Sequence, residues 1–74
     1  MIDNIISAMK VGEVEIEYTS LISGNSKKVV GTLKDKALNQ SNDNERIVFW
    51  DVNNDRYEDI KIDTIISWKV KWGV

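Results

Sequence analysis

The chain of 74 residues has ten Lys or Arg and twelve Asp or Glu side chains, which gives a net charge of −2. So small a charge excludes strong sequence-independent binding to nucleic-acid backbones, and also mimicry of DNA, as starting expectations. The sequence contains no Cys and no His. Because these residues supply the commonest nucleophile, general base and transition-metal ligands, we expect no enzymatic activity, no cofactor and no metal site.

The length predicts one domain, 1–74, that buries only about 60% of the surface its unfolded chain exposes. Trp, Tyr, Phe, Ile and Val must supply the core, and their preference for strands indicates a mainly β protein. Asp3 stands where a signal peptide carries basic residues, and no apolar run reaches the roughly 18 residues that cross a bilayer. We therefore predict a cytoplasmic protein without a membrane segment.

The first predicted elements are a short helix and two strands. Asp3 is the predicted N-cap, and four apolar residues follow at helical spacing before Gly12: Ile2, Ile5, Ile6 and Met9. The segment Glu13–Tyr18 alternates strictly, with glutamates on one face and apolar side chains on the other. Turn residues at 23–26 predict a hairpin from this strand to Lys27–Leu33, in which Gly31 allows a bend or a bulge.

The polar run Lys34–Asn44 has nothing to bury, so we expect an exposed loop that adds adaptable polar contacts to a binding surface. A second hairpin is predicted from Ile47–Val52 to Arg56–Ile62, because the intervening Asn53 and Asn54 tolerate the left-handed backbone of a two-residue turn. The register sets three pairs opposite each other: Asp51 with Arg56, Trp50 with Tyr57, and Ile47 with Ile60. We expect the first pair to be exposed and to fix the turn.

The last predicted strand, Ile66–Trp72, does not fit a simple hairpin with the fourth, because polar and apolar faces would disagree. A turn of 3₁₀ helix at residues 63–65 would let it pair with the first strand and close a barrel. Trp68 is then expected in the core, alternating with Ile66 and Val70. The predicted fold is a small SH3/Sm-like five-stranded barrel with a short N-terminal α-helix.

Four stretches of the chain carry a family resemblance: Val14–Thr19, Lys28–Leu33, Val48–Val52 and Arg56–Ile65. The most specific parts are the run Trp50–Val52, the aromatic Tyr57 and the closing Ile62–Ile65. With these the chain resembles a WYL-type Sm-like domain, and more closely the short, stand-alone phage-encoded version of that family. The resemblance spans nearly the whole chain and implies an SH3-like β-barrel, but no defined biochemical activity comes with it.

The chain departs from the full-length transcription regulators of this family. There, a Trp-Tyr-Leu tripeptide with nearby basic residues implies a surface that senses ligands or nucleic acid, and Asp-Arg-Ile precedes the last strand. In this chain Glu45–Ile47 occupies the tripeptide positions and Thr64 occupies the Arg position. We therefore do not expect ligand sensing.

The candidate binding residues lie around the second hairpin. Trp50 and Tyr57 are expected to face outward as an aromatic pair, because Phe49 takes the opposite side. Arg56 and Lys61 complete the set, since aromatic and Arg side chains carry most of the affinity in protein interfaces. A competing interpretation packs both aromatics beneath the N-terminal helix.

These features predict a non-enzymatic binding or regulatory module whose partner is a protein. The resemblance implies a phage protein that engages a host or phage protein in the host cytoplasm. Two alternatives stay open: an Sm-like RNA- or DNA-binding module, and a subunit of a symmetric homo-oligomeric ring whose strand edges pair between copies. Acids interspersed among the lysine pairs favour the protein partner.

Overall fold

The computed structural model describes residues 2–34 and 45–71. In chain order its elements are the helix α1 (Ile2–Val11), the strands β1 (Glu13–Thr19), β2 (Ser26–Thr32), β3 (Arg46–Asp51) and β4 (Arg56–Lys61), a 3₁₀ turn η1 (Ile62–Thr64) and the strand β5 (Ile65–Lys71). The strands form one antiparallel sheet in the order β4-β3-β2-β1-β5. This confirms the predicted fold, a small SH3/Sm-like barrel with an N-terminal helix. Trp72 and residues 35–44, most of the predicted loop, lie outside the described residues.

The interior of the barrel is one apolar cluster. Because side chains alternate across a strand, every second residue of a strand can point inward. The buried members are Ile5, Met9, Val14, Ile16, Val29, Leu33, Ile47, Phe49 and Ile60. Removing one such side chain from water stabilises the fold by about 1.5–3 kcal/mol. Since these residues come from α1 and from β1 through β4, the cluster holds the helix and the sheet together.

Helix α1 packs on β1 and β2 with the face that its apolar spacing predicts. Ile5 and Met9 are fully buried, and Ile6 is half-buried against the core. The helix begins at Ile2, so Asp3 lies inside its first turn and the predicted N-cap was wrong. No helix in the described part of the chain has the length and hydropathy needed to cross a membrane.

The carboxyl end of α1 is tied to the end of β2. The Thr32 hydroxyl lies 2.7 Å from the Gly12 carbonyl oxygen and 3.2 Å from that of Met9. The Leu33 N–H also donates to the Met9 carbonyl at 2.9 Å, and the Lys34 N–H donates to the Thr32 hydroxyl at 3.1 Å. Carbonyls at a helix end have no partner within the helix, so β2 supplies the donors they need.

Gly31 lies where β2 is paired on both sides, opposite Val14 of β1 and Asp51 of β3. Both ladders keep their register here, so the bulge predicted at this glycine is absent. The Phe49 ring packs directly over the Gly31 backbone. A Cβ atom at Gly31 would lie 2.8 Å from Phe49 Cε2 and closer still to Cδ2, so the position requires glycine for space.

The β3–β4 hairpin has the predicted register, with Asp51 opposite Arg56, Trp50 opposite Tyr57, and Ile47 opposite Ile60. The β2–β3 ladder is short: Gly31 and Thr32 pair with Asp51 and Trp50, whereas all of β2 pairs with β1. Because the first residues of β2 follow β1 and leave β3, the two hairpins separate toward the β1–β2 turn.

Strand β5 pairs with β1, and η1 makes the turn between β4 and β5, as the misfit of a simple hairpin predicted. Trp68 and Val70 lie opposite buried residues of β1 and are half-buried. The register shifts at the start of β5, where Ile65 faces Tyr18 and packs on the core. Ile66 is the extra residue of this bulge and is 57% exposed, so it does not share the inward face that the alternation with Trp68 predicted.

Replacing Gly31 with Ala should destabilise the fold strongly. The added methyl group would overlap the Phe49 ring, which is fully buried and cannot move away without disturbing the core. We expect Gly31→Ala to lower the free energy of unfolding by about 1–3 kcal/mol, measured by urea denaturation.

Gly12→Ala is the matched control, because a Cβ atom there meets nothing within 4 Å. Its free energy of unfolding should stay within about 0.5 kcal/mol of the parent. Equal losses in the two variants would show that the Phe49 contact is not what requires glycine at position 31.

Candidate functional site

Trp50 and Tyr57 form an aromatic pair on the outer face of the β3–β4 hairpin. Their ring centroids lie 4.9 Å apart and their planes make an angle of 80°, an edge-to-face arrangement. Tyr57 is 49% exposed and Trp50 is half-buried. Such a pair contributes about 0.5–1.5 kcal/mol beyond its burial, so it holds the Tyr57 ring in a defined orientation at the surface.

Ile5 and Met9 of the N-terminal helix point toward the core and not toward this pair. Ile5 and Met9 pack into the interior cluster together with Phe49, whose side chain points to the opposite face of β3 from Trp50. The competing interpretation, in which Ile5 and Met9 cover Trp50 and Tyr57, is therefore wrong. The aromatic pair faces away from the core.

Arg56 and Lys61 differ in where they lie relative to the aromatic pair. Arg56 neighbours Tyr57 in sequence, so their side chains leave β4 on opposite faces. The Arg56 Nε donates to the Glu58 carboxylate at 2.7 Å. Lys61 lies on the same face of β4 as Tyr57, four residues or about 13 Å along the strand. Of the four predicted residues, Arg56 is therefore the one that leaves β4 on the other face.

The β3–β4 turn is fixed by Asp51 in a way the sequence did not predict. Asp51 is 2% exposed, and one carboxylate oxygen accepts the N–H groups of Asn53 and Asn54 at 3.2 and 3.3 Å. The other oxygen accepts the Asn54 side-chain amide at 2.8 Å. The expectation that Asp51 and Arg56 form an exposed pair is therefore wrong. The left-handed residue is Asp55, with φ 52°, and neither asparagine has a positive φ.

An open cleft of about 400 Å³ lies between the edge strand β4 and the β1–β2 turn. It forms where the two hairpins separate. Its lining comes from β1 and the turn after it, from β2, β3 and β4, and from η1: Tyr18, Thr19, Ser20, Leu21, Ile22, Lys27, Arg46, Arg56, Glu58, Asp59, Ile60, Lys61 and Thr64. The volume is in the range of ligand-binding clefts. Arg56 and Lys61, separated from the aromatic pair, belong to this lining.

The cleft carries more positive than negative charge. Its four cations are Lys27, Arg46, Arg56 and Lys61, and its two acids are Glu58 and Asp59. Arg46 pairs with Asp59 at 3.4 Å, and Arg56 pairs with Glu58 at 2.7 Å. Within residues 2–34 and 45–71, Lys27 and Lys61 have no acid within salt-bridge distance. Two positive charges are therefore left to meet a ligand.

The β1–β2 turn presents apolar side chains beside this charge. Ser20 is buried, and its hydroxyl accepts the N–H groups of Ile22 and Ser23 at 3.3 and 3.4 Å. Leu21 is 72% exposed and Ile22 is 99% exposed. Neither was selected from the sequence. The available signal was a pair of large apolar residues inside a segment that otherwise has turn composition.

Two of the three glutamates of β1 contact the neighbouring strand. Glu15 pairs with Lys69 at 3.7 Å, and Glu17 accepts the Ser67 hydroxyl at 3.4 Å, so both are engaged with the neighbouring strand β5. Among the described residues, no group of three acids is placed to hold a metal ion.

No family model, curated protein or solved structure matches the chain.

Substitution of Asp51 should test its place in the turn. Asp51→Ala leaves two backbone N–H groups of the turn without an acceptor, so we expect a loss of about 1–3 kcal/mol in urea denaturation. Asp51→Asn keeps one acceptor oxygen and should lose less stability than Asp51→Ala. Asp59→Ala, which removes an exposed ion pair with Arg46, should change stability by less than about 1 kcal/mol. A larger loss in Asp59→Ala than in Asp51→Ala would contradict this assignment.

Proposed function

We propose that the chain is a non-enzymatic binding module that engages another protein through the surface formed by Trp50 and Tyr57. The observation that carries the proposal is the edge-to-face pair itself, which leaves 49% of Tyr57 exposed on the outside of a small barrel. Tyr and Trp are enriched among the residues that dominate interface affinity. Since Tyr57 is held by a ring contact, ordering it on binding costs little conformational entropy.

The absence of Cys and His from the sequence supports a binding activity over catalysis, because carboxylates, lysines and hydroxyls are the remaining reactive groups. Two of the carboxylates that alternate along β1 are engaged by Lys69 and Ser67 of β5.

The resemblance to short phage-encoded Sm-like proteins supports a host or phage protein as the partner and the host cytoplasm as the place of action. A regulatory role would follow from occupying a surface of that partner. The alternatives are an RNA- or DNA-binding module, in which the aromatic pair stacks on bases, and a ring in which the edges β4 and β5 of neighbouring copies pair.

Capture of partners from host lysate should depend on Tyr57. Immobilised Tyr57→Ser should lose the partner that the parent protein captures, because it removes the exposed aromatic side chain. The matched control is Ile66→Ser, which removes a comparably exposed apolar side chain on β5. With the purified partner, we expect at least a tenfold weaker Kd for Tyr57→Ser and an unchanged one for Ile66→Ser, an effect of about 1.4 kcal/mol or more.

Both variants must first show the melting temperature of the parent. Equal capture by Tyr57→Ser and the parent would refute the proposed surface. Tight, salt-dependent binding of labelled single-stranded oligonucleotides would support the nucleic-acid alternative instead. Elution of the purified protein as a closed oligomer would support the ring.

A further inference from the structure

We infer that the cleft between β4 and the β1–β2 turn binds an extended, acidic segment of a partner protein, which adds as a strand to the free edge of β4. This is a second surface, and it does not depend on the aromatic pair. Three observations carry it: the backbone groups at the edge of β4, the charge of the cleft, and the apolar residues at its mouth.

Within residues 2–34 and 45–71, no strand pairs with β4 on the side that lines the cleft. The Ile62 N–H donates to the Glu45 carbonyl at 2.7 Å, in line with the β3–β4 register. In an antiparallel ladder, bonded and non-bonded pairs alternate, so Ile60 also bonds toward β3, while Asp59 and Lys61 direct their N–H groups to the other side. Strand β4 ends the sheet in the described residues, so an extended peptide can pair there.

One acceptor at this edge is already engaged. The Thr64 hydroxyl donates to the Lys61 carbonyl at 2.6 Å. This carbonyl is therefore not available to an added strand, and pairing along β4 stops before η1. An added strand can therefore use the N–H and carbonyl of Asp59 and the N–H of Lys61. These positions lie in the lining of the cleft, next to its positive charge.

The charge of the cleft selects an acidic segment. Four cations face two acids there, which leaves two positive charges on a chain whose net charge is −2. Lys27 on β2 and Lys61 on β4 come from the two walls of the cleft, so a strand laid between them would have a cation on each side. Acidic side chains on that strand would meet both.

The apolar residues at the mouth favour a peptide over a nucleic acid. Leu21 and Ile22 are exposed beside the cleft and can cover the apolar side chains of a bound strand. Single-stranded nucleic acids are held instead by aromatic rings that stack on bases. The ring in the cleft lining, Tyr18, is packed against the core.

A second copy of the chain is a poorer occupant. The other free edge of the sheet is β5, whose sequence IISWKVK contains two lysines and no acid. Its approach would add positive charge to a cleft that already has an excess. The charges thus disfavour pairing of β4 with β5 of another copy.

The test is a fluorescence-anisotropy titration with a labelled short peptide of alternating Glu and Val. We expect saturable binding that weakens as salt is raised, and no binding by a Lys–Val peptide of the same length. Lys27→Glu should weaken the affinity for the Glu–Val peptide at least tenfold. Lys28→Glu is the matched control, because it makes the same charge change one residue along β2, outside the cleft lining, and should keep the affinity within about twofold.

The strand geometry is tested with the peptide, so that the protein is unchanged. Two versions of the Glu–Val peptide carry N-methyl groups on alternate amides, one on the odd and one on the even positions. Pairing along one edge of β4 requires that one version lose binding and the other retain it, because only every second amide faces β4. Leu21→Ser should weaken the binding of the unmethylated Glu–Val peptide and of the methylated version that still binds.

Several results would overturn the inference. These are equal weakening by Lys27→Glu and Lys28→Glu, equal binding of the two methylated peptides, or tighter binding of a labelled oligonucleotide that displaces the peptide. The outcome is also separable from the aromatic surface. Tyr57→Ser should keep its affinity for the Glu–Val peptide even where it loses the captured partner.

Discussion

The packing of Phe49 over the Gly31 backbone is the contact on which the rest of the barrel depends. Gly31 is where β2 pairs with β1 on one side and with β3 on the other. The ring is fully buried and lies so close that no side chain fits beneath it. It therefore joins the two hairpins at their point of closest approach. From that point the hairpins diverge, which produces the cleft beside β4. The packing of the core and the presence of the cleft thus have one origin.

Much of the fold could be predicted from the sequence because its determinants are local. Strict alternation identified β1, the asparagines between two apolar runs set the β3–β4 register, and the misfit of a simple final hairpin indicated that β5 pairs with β1. One error came from a non-local contact and another from a local turn. The bulge that moves Ile65 inward and Ile66 outward is seen only when β5 lies against β1, and the burial of Asp51 depends on the turn that its own carboxylate organises.

The candidate site was predicted in part, and the reason lies in strand geometry. Trp50 and Tyr57 are directly opposite in an antiparallel ladder, so the register alone brought them together. Arg56 was added because it is adjacent in sequence, but adjacency on a strand means opposite faces. Arg56 shares the cleft lining with residues of β1, the turn after it and β2, which are distant in sequence. No local pattern could reveal that grouping.

The link between Thr32 and the end of α1 bears on the order of folding during synthesis. A helix of ten residues is marginal in water by itself, because too few hydrogen bonds offset the cost of starting it. The groups that complete this helix, the Thr32 hydroxyl and the Leu33 N–H, are made more than twenty residues after the helix begins. We therefore expect the helix to become stable only after Thr32 and Leu33 have been synthesised, together with the β1–β2 hairpin.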